Sequence, residues 1–231
     1  MKGIFVTGTD TGVGKTLVST ALVLAYARRG ERVAGLKPVV SGAVNGVWDD
    51  VEAMRHASVP PRSVEDCALY TFPPAIAPHW AARQEGRSID VGAIARFVRQ
   101  QAKTVDRVIV EGAGGFLVPL TARQGFADLA QDLQLPIVLV VGLRLGAINH
   151  ALLSYEAIVT RGLVLQAWVG SALSPDVAPG TLEGLQEYLP APCLGVIPYH
   201  SPVDPVFAIR YLKIPADPDG TAAELVGGKD G

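Results

Sequence analysis

The chain has 231 residues, 49% of them hydrophobic and 18% charged, which is enough apolar material for one large buried core. Its 20 Lys and Arg against 22 Asp and Glu leave a formal net charge of −2 with no basic block, so no nucleic-acid partner is expected. Cys67 and Cys193 lack metal or redox spacing and read as buried thiols, no apolar run reaches membrane-spanning length, and the first strand follows Met1-Lys2-Gly3 at once; the expectation is a cytoplasmic protein with no membrane partner.

The apolar run Ile4-Phe5-Val6 leads into Gly8-Thr9-Asp10-Thr11-Gly12-Val13-Gly14-Lys15-Thr16, and a helical pattern starts at Leu17. Strand, glycine-rich turn, Gly-Lys-Thr and helix in that order describe a phosphate-binding loop. Exposed backbone N–H groups ahead of a helix N-terminus make a concave donor surface for a polyphosphate. Lys15 reaches the terminal phosphates and Thr16 a Mg²⁺ ion. The common pattern sets its first glycine where Thr9 stands here, with Gly8 one residue earlier.

The helix after the loop ends near Arg28-Arg29-Gly30. A second strand over residues 32–36 delivers Lys37 and Ser41 to its carboxyl end, where open parallel sheets bind ligands. A polar turn over 45–50 precedes a short helix, with Asp49 or Asp50 as its cap. Residues 59–86 are proline-rich and aperiodic, and read as an irregular excursion holding a short strand at 67–70. Ser88-Ile89-Asp90 opens a helix carrying Ile94, Phe97 and Val98 on one face. The strand at 106–110 ends in Glu111-Gly112-Ala113-Gly114-Gly115, where a carboxylate faces Mg²⁺ and glycines let backbone approach phosphate.

A helix from Phe126, a strongly apolar strand at 136–142, a helix through Asn149 and His150 to about residue 162, a strand at 163–170, a helix at 182–188 and a last strand at 193–197 complete the pattern. Together these predict a single doubly wound, mostly parallel α/β sheet of about seven strands, like that of phosphate-loop NTPases, as one domain over 1–226 with a frayed tail at 227–231. No pair of the four histidines has the spacing of a helical zinc motif, and no nucleophile elbow is present, so the chemistry rests on nucleotide phosphates, a metal and lysines.

Four blocks read together, the phosphate loop, Lys37-Pro38-Val39 with Ser41-Gly42, Val110 to Gly115, and Leu145-Gly146 with Ile148-Asn149-His150, closely resemble dethiobiotin synthetase over nearly the whole chain. The resemblance implies a homodimer that uses ATP, Mg²⁺ and CO₂ to close a cyclic urea on 7,8-diaminononanoate. It implies Mg²⁺ on Thr16, Asp50 and Glu111, contacts from Thr11 and Ser41 to the reacting carbamate, and Lys37 with Lys15 as catalytic groups. The nucleotide would lie against Gly12, Val13, Gly14, Leu17, Gly112, Ala113, Gly114, Ser171, Pro198, Tyr199 and His200. Leu145, Gly146 and Asn149 would hold the substrate's distant carboxylate across the dimer interface.

Two positions depart from the family pattern. Gly12 stands where many members carry glutamate, and Ser171 where members that read adenine often place asparagine, which opens the nucleotide to triphosphates other than ATP. A different reading is a partition or cell-division switch ATPase of the same fold. Such switches usually carry a lysine five residues before the loop lysine, where this chain has Asp10. An ATP-dependent amidoligase shares the fold but normally adds a glutaminase domain, for which 231 residues leave no room.

Overall fold

The computed structural model describes residues 1–202 and 204–215; the tail expected at 227–231 lies outside the described residues. In chain order the elements are β1 (Gly3–Gly8), α1 (Lys15–Ala27), β2 (Val33–Leu36), β3 (Val39–Ser41), α2 (Asp49–Ala57), α3 (Val64–Cys67), β4 (Tyr70–Phe72), α4 (Pro78–Gln84), α5 (Val91–Ala102) and β5 (Arg107–Gly115). There follow α6 (Phe126–Leu133), β6 (Ile137–Leu143), α7 (Ala147–Val159), β7 (Leu165–Ala172), α8 (Thr181–Tyr188), β8 (Cys193–Ile197) and α9 (Pro205–Ile209).

Among the described residues six strands form one sheet in the order β2-β5-β1-β6-β7-β8, every neighbouring pair parallel. Alternation along β1 explains its two covered faces. Phe5 packs with Leu36, Val110 and Leu139 under α5, α6 and α7, while Ile4 and Val6 pack with Ile109, Val138 and Val140 under α1 and α9. A fully buried parallel strand must be apolar on both sides, and β6 is buried at every residue.

The seventh expected strand is displaced. Cys67 closes α3, whose N-cap Ser63 accepts from the Asp66 N–H, and the strand begins at Tyr70, where it pairs in parallel with β3 as Val39 to Tyr70 and Ser41 to Phe72. This two-stranded sheet stands apart from the main one. The expected cap of α2 is also corrected. Trp48 occupies the N-cap, Asp49 and Asp50 both lie in the first turn, and neither caps the helix. Asp90 does cap α5, accepting from the Ala93 N–H at 3.0 Å.

Candidate active site

The carboxyl ends of β1, β2 and β5 meet where two lysines and two carboxylates form one cluster, with Lys15, Lys37 and Glu111 buried and Asp50 partly exposed at its edge. The turn from β1 into α1 uses Gly12 at φ 73° and Gly14 at φ 89°, both in the left-handed region that glycine enters without Cβ strain. Gly14 is also the N-cap of α1, so its geometry turns the first helical N–H groups toward the cavity. Val13 is buried, and its side chain packs toward Gly8 and Gly142, away from the cavity.

Lys15, the first residue of α1, is buried and donates from Nζ to the Asp10 carbonyl at 2.7 Å. Lys37, just beyond β2 and 3% exposed, donates to Glu111 Oε1 at 2.5 Å and to the Gly112 carbonyl at 3.0 Å, and its Nζ lies 3.0 Å from Asp50 Oδ2. Thr16 Oγ1 lies 2.8 Å from Asp50 Oδ1 and 2.9 Å from Glu111 Oε1, so its one hydroxyl proton is shared between two carboxylates.

These groups set one another's charge. Burial pulls the Lys15 ammonium down to about 8, and the neighbouring Lys37 charge adds to the fall. Burial also works against Lys37, but the Glu111 and Asp50 carboxylates outweigh it and hold that ammonium above its ordinary value. Burial would raise Asp50, yet Lys37 and the Thr16 hydroxyl keep it below the usual carboxylate range. Glu111 is fully buried, and its Oε2 has no hydrogen-bond partner among the described residues.

That orphaned oxygen decides whether a metal fits here. Thr16, Asp50 and Glu111 present an all-oxygen set of one hydroxyl and two carboxylates, which suits a hard cation. Among the described residues no group of three or more His, Cys, Asp or Glu could cage an ion. One hydroxyl and two carboxylates, with Glu111 Oε2 unpartnered among the described residues, fit Mg²⁺, which is usually held by one or two carboxylates together with phosphate oxygens and water.

A cavity of about 800 Å³ opens over the cluster. Of the residues expected from the sequence, Thr11, Gly12, Gly14, Lys15, Thr16 and Leu17 line it. So do Lys37, Ser41, Asp50, Glu111, Ala113 and Gly114, and on the far side Ser171, Pro198, Tyr199 and His200. Gly112 is reached through its carbonyl, by Lys37. Leu145, Gly146 and Asn149 do not line this cavity; they lie at the start of α7, where Leu145 is 84% exposed.

Several lining residues were not expected. Ile76, Ala77 and Pro78 with Val118 make an apolar wall beside Ser41, and Asp204 and Phe207 close the opposite end. Ser41 Oγ donates to the Ile76 carbonyl at 2.7 Å, which fixes the wall to the end of β3. The Asp204-Pro205 pair carried a signal for the far end: aspartate at an N-cap with proline at the first helical position marks a helix start, and α9 begins there.

A protein-family model described as an AAA domain matches residues 2–206. ATP-dependent dethiobiotin synthetase BioD of Nitrosospira multiformis is 46% identical over 200 residues, covering 86% of this chain and 88% of that protein. The enzyme of the same name from Aromatoleum aromaticum is 42% identical over 217 residues, covering 91% and 96%. Among solved structures, the septum site-determining protein MinD of Pyrococcus horikoshii, complexed with Mg-ADP, matches with a TM-score of 0.56 at 18% identity, covering 89% of this chain and 82% of that one. Signal recognition particle receptor FtsY of Elizabethkingia anophelis matches with a TM-score of 0.54 at 14% identity; this chain spans 61% of its length. The last two likenesses concern the fold alone.

Proposed function

The chain belongs to the ATP-dependent dethiobiotin synthetase family of ligases, and from that premise we propose how its own residues carry out carboxylation and ring closure on 7,8-diaminononanoate with CO₂. The observation that carries the reading is the convergence of Lys15, Lys37, Thr16, Asp50 and Glu111 at the floor of one cavity, beside an apolar wall. The wall of Ile76, Ala77, Pro78 and Val118 suits the alkyl chain of the diamine.

An alkyl ammonium has a pKa near that of lysine, roughly 10.4, so CO₂ capture needs a place that disfavours the ammonium and favours an anionic carbamate. Two lysine cations at the cavity floor supply it. Ser41 spends its proton on the Ile76 carbonyl, so toward the cavity it offers lone pairs, and it would accept from a substrate N–H and orient the amine. Thr11, whose Oγ1 lies near Gly114, would donate to the carbamate from the opposite rim.

The carbamate oxygen then attacks the γ-phosphorus, ADP leaves, and a mixed carbamic-phosphoric anhydride results. The second amine attacks the carbonyl carbon, and phosphate leaves with the oxygen that came from CO₂. Lys15 and Lys37 meet charge as it develops on the transferring group; positioning and electrostatics are the protein's part in such transfers. Mg²⁺ on Thr16, Asp50 and Glu111 would supply charge neutralisation on the phosphates when bound.

The first turn of α7, with Leu145, Gly146 and Asn149, would hold the distant carboxylate of substrate in a partner's site, which makes a homodimer the working unit. In support, α7 buries only Ala147, Ala151 and Ile158 of its 13 residues, while Leu153 stays 57% exposed. No helix among the described residues is long and apolar enough to cross a membrane; cytoplasmic location, a single domain and the absence of nucleic-acid or membrane partners belong to the same proposal. The switch-ATPase reading gains nothing from the MinD likeness. Asp10, where a switch would carry lysine, accepts from Thr11 N–H and pairs with Arg144.

Turnover in ¹⁸O-labelled bicarbonate tests the route. Transfer of a single ¹⁸O atom to the released phosphate is expected, and unlabelled phosphate would refute attack by the carbamate oxygen.

A further inference from the structure

The phosphate loop is anchored at its start and at its end. Thr9 N–H donates to the Val140 carbonyl at 2.9 Å, which ties the start to β6, and Val18 N–H donates to the Gly14 carbonyl at 3.0 Å, which begins the ladder of α1. Residues 10–12 bridge these anchors at the surface. Thr11 and Gly12 are exposed, and a Cβ at Gly12 would meet nothing within 4 Å among the described residues. Yet the bridge bears on the chemistry: Thr11 faces the reacting carbamate in the mechanism above, and the Asp10 carbonyl holds Lys15 Nζ at 2.7 Å.

Asp10 is the residue through which the bridge is steadied. Its Oδ1 accepts from Thr11 N–H at 2.7 Å, and its Oδ2 accepts from the Arg144 guanidinium at 2.5 Å. The Thr11 N–H, ahead of Arg144, holds the Asp10 carboxyl below its ordinary value against the opposing effect of burial. Arg144 reaches over from a firm base. It follows Leu143, which is 2% exposed and paired with Ala172 of β7, and its own carbonyl accepts from Ala147 N–H at 3.0 Å in the turn into α7. Neither Asp10 nor Arg144 lines the cavity, whereas Thr11 and Lys15 do. Within one protomer, an effect of this pair on turnover must pass through those two residues.

We propose that Arg144 is a positioning residue for the reaction: by holding Asp10 it fixes Thr11 and Lys15 against the end of β6, without itself touching nucleotide or diamine. The proposal rests on the roles given to Thr11 and Lys15 above. Both partners of the pair are about half exposed, at 48% and 46%, so the pair adds little to the stability of the fold. An ion pair of that strength biases the loop toward its working geometry by no more than about fivefold. Its loss should therefore register in the rate and hardly at all in melting.

Steady-state kinetics of the full chain with Mg²⁺, ATP, bicarbonate and 7,8-diaminononanoate test this. Arg144→Met should lower kcat by about two- to fivefold, leave KM for the diamine unchanged and lower Tm by no more than about 4 °C. Asp10→Asn keeps an acceptor for Thr11 N–H but sheds the charge, and should lower kcat by the same factor. The double variant should fall no further, and Arg144→Lys should stay within about twofold of the wild type. Wild-type kcat in Arg144→Met, or two losses that multiply in the double variant, overturns the proposal. So does a rise in diamine KM in Arg144→Met that Asp10→Asn does not share, which would make Arg144 a contact for substrate in a partner's site. Lys15→Met separates the proposal from its premise: it should lose turnover, and wild-type turnover there would remove the role of Lys15 and the proposal with it.

Discussion

Replacing Lys37 with methionine keeps an unbranched side chain, one atom shorter, and removes its charge. In the folded protein that charge is 3% exposed and lies between Asp50 Oδ2 at 3.0 Å and Glu111 Oε1 at 2.5 Å, with Glu111 fully buried. Breaking a buried pair from one side strands the other charge, at a cost of about 3–5 kcal/mol. In a domain of this size each kcal/mol lowers Tm by about 2–4 °C, so Lys37→Met should melt about 6–20 °C below the wild type. The double variant Lys37→Met/Glu111→Gln removes both charges and should recover most of that loss. Turnover should not return in either, since removing one preorganised electrostatic group costs on the order of 10²–10³ in kcat. Urea unfolding of the nucleotide-free protein at pH 7, with phosphate release measured on the same samples, reads both effects. A single variant within about 1 kcal/mol of the wild type, or a double variant no more stable than the single, would refute the view of the pair as a mutually dependent buried unit.

Lys15 makes stability depend on pH in the alkaline range. The folded chain gives up its proton near pH 8 and the unfolded chain near 10.5, so the cost is fully present below pH 8 and is relieved between those values. At about 1.36 kcal/mol per pH unit the gain is about 3 kcal/mol relative to Lys15→Met, and an alkaline limb identical in the two proteins would contradict it. Gly14→Ala should abolish nucleotide binding and lower stability more than Gly12→Ala, because both have positive φ but only at Gly14 does the new Cβ meet an atom, Ser171 Oγ at 2.8 Å; equal effects in calorimetry and melting would sink that distinction. Leu153→Glu, on the exposed face of α7, should yield a folded monomer with little turnover, and sedimentation showing an intact, active dimer would remove α7 from the interface.

The strand ends were legible because their chemistry is local. Gly14-Lys15-Thr16, Lys37 and Glu111 each follow an apolar run whose length and composition mark a buried parallel strand, and sheet order then brings them together. Asp50 could not be separated from Asp49 by pattern. Both sit in the first turn of α2, and only packing against Thr16 and Lys37 turns Asp50 inward while Asp49 stays exposed. Residues 59–86 hid α3 and α4 and left the bounds of β4 open, because such short elements complete no hydrophobic period. Their start signals were nonetheless present: Ser63 three residues before Asp66, and Pro78 at the head of α4. The β3–β4 pairing that moves the strand to Tyr70 is a tertiary choice, fixed by Trp48 Nε1 donating to the Phe72 carbonyl and by the register of Val39 on Tyr70.

The central claim is that one cavity couples ATP cleavage to carbon fixation on a diamine. Phosphate release with Mg²⁺ and ATP, measured with 7,8-diaminononanoate, with bicarbonate, with both and with neither, tests it most directly. Release that needs both, in equal amount to dethiobiotin formed, is the predicted result. Slow release indifferent to the diamine would contradict it and point to a nucleotide switch on the same fold.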